Sequence, residues 1–166
     1  GKVRSAVGKE LPLRGENIIV NASHCHGLVC ADVAERTVAA IKEAWSKLTP
    51  VQIAVGKGSE TRIMENRRLR LKSGREADIR HAYALPADDE IAGLGPVDPE
   101  IGLVRVDRLD GTTLAVLYQF ACHPIQGVPG GGNTADMIAF SSAAIETGFG
   151  NECLALFLQG CGGDIN

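Results

Sequence analysis

The chain has 166 residues, 45% hydrophobic and 22% charged, with a formal net charge of −3. That length suits one domain, able to bury roughly 70% of the surface its unfolded chain exposes, and the composition is that of a globular chain. The mildly acidic balance argues against nucleic acid as the main partner, because phosphate binding needs a strong excess of Lys and Arg. No apolar run approaches the roughly 18 residues of a transmembrane segment.

The chain opens on Gly1-Lys2-Val3-Arg4, with neither an initiating Met nor the apolar stretch of a signal peptide, and stops at Asn166 just after a Gly-rich turn. Both ends read as cuts inside a larger protein. The five cysteines (Cys25, Cys30, Cys122, Cys153 and Cys161) are odd in number and form no CxxC pair. This gives neither a disulfide framework nor a thiolate zinc finger, so they read as small buried hydrophobes.

Residues 17–22 (NIIVNA) form a short β-rich apolar run, expected to be a buried strand. In residues 32–48, Val33, Thr37, Ile41, Ala44, Trp45 and Leu48 recur at helical spacing, with Asp32 as a cap and Thr49-Pro50 as a stop. Residues 51–55 read as a second strand, so the start predicts a strand-helix-strand crossover with parallel strands.

Residues 56–99 have little apolar periodicity. Seven basic side chains against three acidic ones fall in residues 62–80, and five acidic with no basic ones in residues 88–100. They read as two solvated loop faces of opposite sign, or as an ordered loop over a site with one Arg pointing in.

Residues 101–109 and 113–120 are strands joined by the hairpin signal Asp110-Gly111. After a Gly/Pro-rich loop, residues 136–147 are helix-like with Gly148 as a stop, and residues 153–158 (CLALFL) read as a buried strand. The class is therefore α/β: a mixed β-sheet with flanking helices, a strand-helix-strand start and a β-hairpin.

Three of the four histidines follow strands. His24 and His26 flank Cys25 just past Ala22, and His123 follows Cys122 at the end of the hairpin's return strand. An H-x-H pair in extended backbone puts both imidazoles on one face, with the intervening Cys on the other. Zinc takes neutral imidazole and keeps a position open for water in catalytic sites, and strand ends are where α/β sheets place ligands. His81 has no partner in sequence and reads as a surface residue. Gly160-Cys161-Gly162-Gly163 offers either a nest of backbone N–H groups for an anion or a tight turn that needs positive φ. Gly130-Gly131-Gly132 lacks the Lys-Ser/Thr of a phosphate loop. A cysteine hydrolase using Cys25 or Cys122 is the alternative chemistry, disfavoured because alternation sends each thiol away from its neighbouring His.

Several segments together resemble the neutral/alkaline, non-lysosomal ceramidase family. Ala22-Ser23-His24-Cys25-His26-Gly27 is similar to its S-H-T-H-S-G-P segment, and Phe120-Ala121-Cys122-His123-Pro124 to its F-A-x-H-P segment. Glu65-Asn66-Arg67-Arg68 resembles its Asn-Arg segment, and Asp98-Pro99-Glu100-Ile101-Gly102 also fits. Gln159 to Asn166 resembles its G-D-V-S-P-N region. The segments keep the family's order and span nearly the whole chain.

The resemblance implies that residues 1–166 are part of one ceramidase-like catalytic domain, truncated at both ends. It implies a zinc-dependent hydrolase that cleaves an N-acyl amide of ceramide type with metal-activated water, acting on a small-molecule or lipid amide. One zinc ion would be held by His24 and His123, the remaining ligands, a Glu and a Tyr, coming from outside this chain. His26 would be catalytic and Arg67 would reach into the site, with Gly162, Gly163 and Asn166 near the substrate or its oxyanion. Two departures stand out: Asn166 replaces the family's Ser, and Gly27-Leu28-Val29 replaces Ser-Gly-Pro. They leave open an amidase of the same family with a non-ceramide substrate, or a non-enzymatic α/β ligand-binding module.

Overall fold

The computed structural model describes residues 1–24, 29–79, 85–125, 134–150 and 152–166. Two helices, α1 (Lys2–Glu10) and α2 (Val33–Ser46), precede the long strand β1 (Val51–Ser59). Three short strands follow, β2 (Arg68–Leu71), β3 (Glu76–Asp78) and β4 (Ile91–Leu94). The chain then builds β5 (Glu100–Arg108), β6 (Thr113–Phe120), α3 (Asp136–Phe149) and β7 (Leu154–Gln159).

The main sheet has the order β1-β5-β6-β7. β5 is antiparallel to both β1 and β6, while β6 and β7 are parallel. The sheet is thus mixed and flanked by helix, as the class reading expects. The Asp110-Gly111 hairpin forms, with Gly111 at φ +88, a conformation glycine adopts without penalty. The helix after it runs slightly past Gly148 and ends at Gly150, φ +95.

Two expectations are corrected. The parallel crossover is not the first strand-helix-strand stretch: residues 18–22 form no strand, and β1 pairs antiparallel with β5. The crossover is β6-α3-β7, whose helix is long enough to return the chain to the same sheet direction. Residues 56–99 are not a loop throughout either. They extend β1 to Ser59 and then form a three-stranded antiparallel sheet, β3-β2-β4. Arg68-Leu69-Arg70-Leu71 alternates in and out, burying Leu69.

Alternation along the main sheet decides its two faces. Tyr118 and Phe157 meet edge to face beneath α3, with ring centroids 5.3 Å apart. The Tyr118 hydroxyl reaches the Ser141 and Ser142 hydroxyls at 2.7 and 2.9 Å, which fastens the helix over the sheet. Met64, Phe120, Cys122 and Ile165 form a buried cluster at the end of β6, with Ile101, Met137 and Phe157 packed against it. The opposite face presents Ile53, Val55, Leu154 and Leu156 outward, and α1 packs against α2. Among the described residues no helix is long and apolar enough to cross a membrane.

Candidate functional site

The polar residues gather where the parallel strands end. Beyond Phe120 the chain stays buried through Ala121, Cys122 and His123. His123 is 4% exposed. Its backbone N–H donates to the Ile165 carbonyl at 3.0 Å, and its ring Nδ1 lies 3.1 Å from the same oxygen. A carbonyl only accepts, so Nδ1 is the donor in this bond. This is the backbone support that metal-binding imidazoles commonly have.

His24 arrives on an irregular segment docked beside the end of β7. Asn21 bonds to the backbone of Gln159, the last residue of β7. Three residues on, the His24 ring meets the His123 ring at a centroid distance of 4.3 Å and an interplanar angle of 74°. Two segments separated by about a hundred positions thus bring their imidazoles together at one end of the sheet. His26 lies outside the described residues, as do Cys25, His81 and Gly130-Gly131-Gly132.

Arg67 is brought in by a short antiparallel bridge between Asn66 and Ile165. Glu65 and Asn166 exchange backbone bonds at 2.8 and 2.9 Å, and the Arg67 N–H donates to the Asp164 carbonyl at 2.9 Å. Ile165 therefore serves both functional segments, holding His123 by its carbonyl and pairing with the residue before Arg67. The Arg67 side chain is only 13% exposed, with Nε 3.5 Å from the Asp78 carboxylate. Its Nε and Nη1 are buried and make no hydrogen bond among the described residues. Arg67 borders a cleft of about 880 Å³ together with Met64, Cys122, Met137 and Asn166.

The glycine turn serves a different purpose from the one its composition suggests. Gly162 and Gly163 are not among the glycines at positive φ. The Gly162 N–H donates to the Gly160 carbonyl at 2.8 Å, so it is occupied within the turn. A Cβ at Gly162 would stand 3.0 Å from the Cys122 backbone. A side chain there would crowd the segment that carries His123, on which the turn presses directly. Asn166, at the rim of the cleft, offers an amide rather than a nucleophile.

Three further residues shape the site and were not singled out from sequence. Asn66 is 3% exposed, donates to the Pro96 carbonyl at 2.7 Å and accepts the Arg68 N–H at 2.8 Å. Asp164 takes the Arg68 guanidinium at 3.0 Å. Asp136, 6% exposed, starts α3 at φ +53. Asn66 stands beside Arg67 in the Asn-Arg segment, which was the available signal; Asp136 gave none. Burial, and then the Asp136 charge, push the Cys122 thiol above its ordinary pKa. A thiol so placed is a poor nucleophile, which weighs against Cys122 as a catalytic group.

His24 and His123 place two imidazole rings side by side, one of them braced through Nδ1. Among the described residues no group of three or more His, Cys, Asp and Glu side chains stands together. Two imidazoles are fewer than the three protein ligands of a typical catalytic zinc.

In class this is an α/β fold whose polar residues collect at the carboxyl ends of parallel strands, the usual place for a ligand site. Its fold is that of part of a ceramidase. The chain is similar to the neutral ceramidase of Pseudomonas aeruginosa, with a TM-score of 0.56 and 16% identity over 80% of this chain and 20% of that one. It is also similar to a ceramidase complexed with C2, with a TM-score of 0.66 and 17% identity over 99% of this chain and 28% of that one. It thus spans less than a third of the length of either structure. No family model and no curated protein matches the sequence.

Proposed function

We propose that this chain supplies part of the active site of a zinc-dependent amidohydrolase of the neutral ceramidase type, which cleaves an N-acyl amide of a ceramide-like lipid. The observation that carries the reading is the contact between the His24 and His123 rings at 4.3 Å. The ceramidase-like fold supports it at the level of architecture.

When bound, zinc supplies Lewis acidity and a water of lowered pKa, about 7 in well-studied sites. His24 and His123 would hold the ion. Arg67, at the border of the cleft, carries guanidinium N–H groups that make no hydrogen bond among the described residues and would stabilise an oxyanion or bind the carboxylate product. His26, two residues from His24, moves a proton to the leaving amine. Asn166 orients the polar part of the substrate. The amide at this position, where the resembling family has Ser, favours a second reading within the same chemistry: an amidase whose substrate is not ceramide.

The test is to replace His24 or His123 by Ala in the full-length protein, then measure bound zinc and release of fatty acid from an N-acyl amide. Loss of both zinc and hydrolysis is expected. Unchanged zinc stoichiometry in both variants overturns the assignment.

A further inference from the structure

We infer that Gln159 is a positioning residue that clamps the His24 and His123 segments to each other across the end of the main sheet. That the clamped rings serve a metal rests on the hydrolase reading; the clamp itself does not.

The parallel ladder between β6 and β7 runs out at Gln159, which pairs with Phe120. Its last regular bond runs from the Gly160 N–H to the Phe120 carbonyl, at 2.9 Å. Continued in the same pattern, the ladder would next bring the Gly162 N–H to the Cys122 carbonyl. The chain turns instead, and the Gly162 N–H goes to the Gly160 carbonyl at 2.8 Å. That leaves the Cys122 carbonyl, in a buried stretch, without its ladder donor, a state that backbone groups rarely keep. The Gln159 side chain makes the missing bond. Its Nε2 donates to the Cys122 carbonyl at 3.0 Å and to the Gly160 carbonyl at 3.2 Å. One side-chain amide thus replaces one rung of the ladder, next in sequence to His123.

The main chain of the same residue holds the other segment. Its N–H and carbonyl both bond to the Asn21 side chain, three residues before His24. Gln159 therefore grips the His24 segment with its backbone and the His123 segment with its side chain, and the two rings lie 4.3 Å apart.

Two features mark the amide as needed for these bonds rather than for filling space. Gln159 Oε1 is buried without a hydrogen bond, a penalty that an apolar side chain of the same length would not carry. The turn is also shaped around Nε2: a Cβ at Gly162 would stand 3.0 Å from it and 3.0 Å from the Cys122 backbone.

The experiment compares the full-length protein with Gln159→Met, with Gly162→Ala and with a control, Tyr118→Phe, which loses the hydroxyl bonds to Ser141 and Ser142. Labelling by a disulfide reagent is followed at each cysteine by mass spectrometry, beside zinc affinity against a chelating competitor. Cys122 reports the clamped segment, and Cys153, buried just before the opposite end of β7, reports overall opening. Loosening the clamp should speed Cys122 at least tenfold relative to Cys153. It should also weaken zinc by about tenfold to a hundredfold, the usual effect of losing a group that orients a metal ligand. Tyr118→Phe should lower the urea midpoint yet leave the labelling ratio and the zinc affinity within twofold of wild type. Gln159→Met removes the amide and Gly162→Ala crowds it, so a folding failure in one leaves the other as the test. Cys122 and Cys153 speeding up together, or zinc affinity within twofold of wild type in a folded variant, overturns the proposal. Selective exposure of Cys122 in the variants of a protein whose wild type holds no zinc supports the clamp and overturns the hydrolase reading alone.

Discussion

The side-chain amide of Asn21 bonds to the backbone of Gln159 in both directions, accepting its N–H at 2.9 Å and donating to its carbonyl at 3.0 Å. A neighbouring strand would make the same pair of bonds. Asn21 makes them with a side chain, on the edge strand β7. Gln159 pairs in turn with Phe120 on β6. His24 follows Asn21 by three residues, and His123 follows Phe120 by three. Two equal tethers rooted in paired parallel strands bring the imidazoles together.

Asn21→Ala removes both bonds. At about 1 kcal/mol per hydrogen bond, stability should fall by ~1–2 kcal/mol, read as a lower urea midpoint with unchanged slope. Zinc affinity, measured against a chelating competitor, should fall at least tenfold because His24 loses its anchor. Asn21→Asp keeps the acceptor and loses the donor, so it should lie between the two. Wild-type zinc affinity in Asn21→Ala would show that the tether does not position His24.

Arg67→Lys preserves the charge and loses the planar fork. Removing one donor to a developing oxyanion typically costs about 2.7–4 kcal/mol, or 10²–10³ in kcat. A drop of that order is expected with zinc content unchanged. Arg67→Gln should be worse, since it also leaves Asp78 without the guanidinium at 3.5 Å. A kcat for Arg67→Lys within twofold of wild type would remove Arg67 from the proposed chemistry.

The thiols should sort by burial. Cys30 and Cys161 are exposed, whereas Cys122 and Cys153 are buried. A disulfide reagent at pH 8 should label the first two within minutes and the other two only on unfolding. Burial, and then the Glu146 carboxylate, raise the Cys153 pKa. Its folded pKa lies above its unfolded one, so its stabilising contribution is present below about pH 8.5 and is lost as pH rises through the folded value. Urea midpoints should therefore fall between pH 8 and pH 10, and less so in Cys153→Ala. Rapid labelling of Cys122 in the native chain would contradict the packing of the Gly162 turn against it.

Particular elements show what sequence carries. The β5–β6 hairpin was legible because Asp110-Gly111 demands its turn geometry and the flanking runs are long. α3 and β7 were legible from periodicity and from a continuous apolar run, but that run suggested a buried strand, whereas β7 is an edge strand with Leu154 and Leu156 exposed. Residues 17–22 look like a strand because Ile18, Ile19 and Val20 are β-formers, yet Ile19 is 89% exposed. Propensity there was outweighed by the place of the segment beside an edge, joined through one amide. The second sheet escaped notice because strands of three or four residues are too short to show a period. The pairing of His24 with His123 came from the family resemblance and from placing both at strand ends, although the segment before His24 forms no strand. Arg67 came from the resemblance to a family, since its place depends on a bridge to Ile165 that no local pattern encodes. Asp136 was invisible, because backbone strain at one residue has no signature in composition.

Asp136 supplies the last test. Its φ of +53 is a conformation that costs most residues about 1–2 kcal/mol and that Asn and Gly adopt more readily. Its carboxylate accepts the Met137 N–H at 2.7 Å, and it sits buried at the start of α3, close enough to raise the neighbouring Cys122 thiol. An Asn side chain satisfies both the backbone angle and the Met137 bond, so Asp136→Asn should keep its urea midpoint within about 1 kcal/mol of wild type. If packing alone had shaped this position, hydrolysis would survive as well. Strain retained at a buried charge beside the His123 segment points instead to a requirement of the site. A folded Asp136→Asn with hydrolysis reduced at least tenfold is the expected result; full activity in that variant would leave the carboxylate with only its role at the start of the helix.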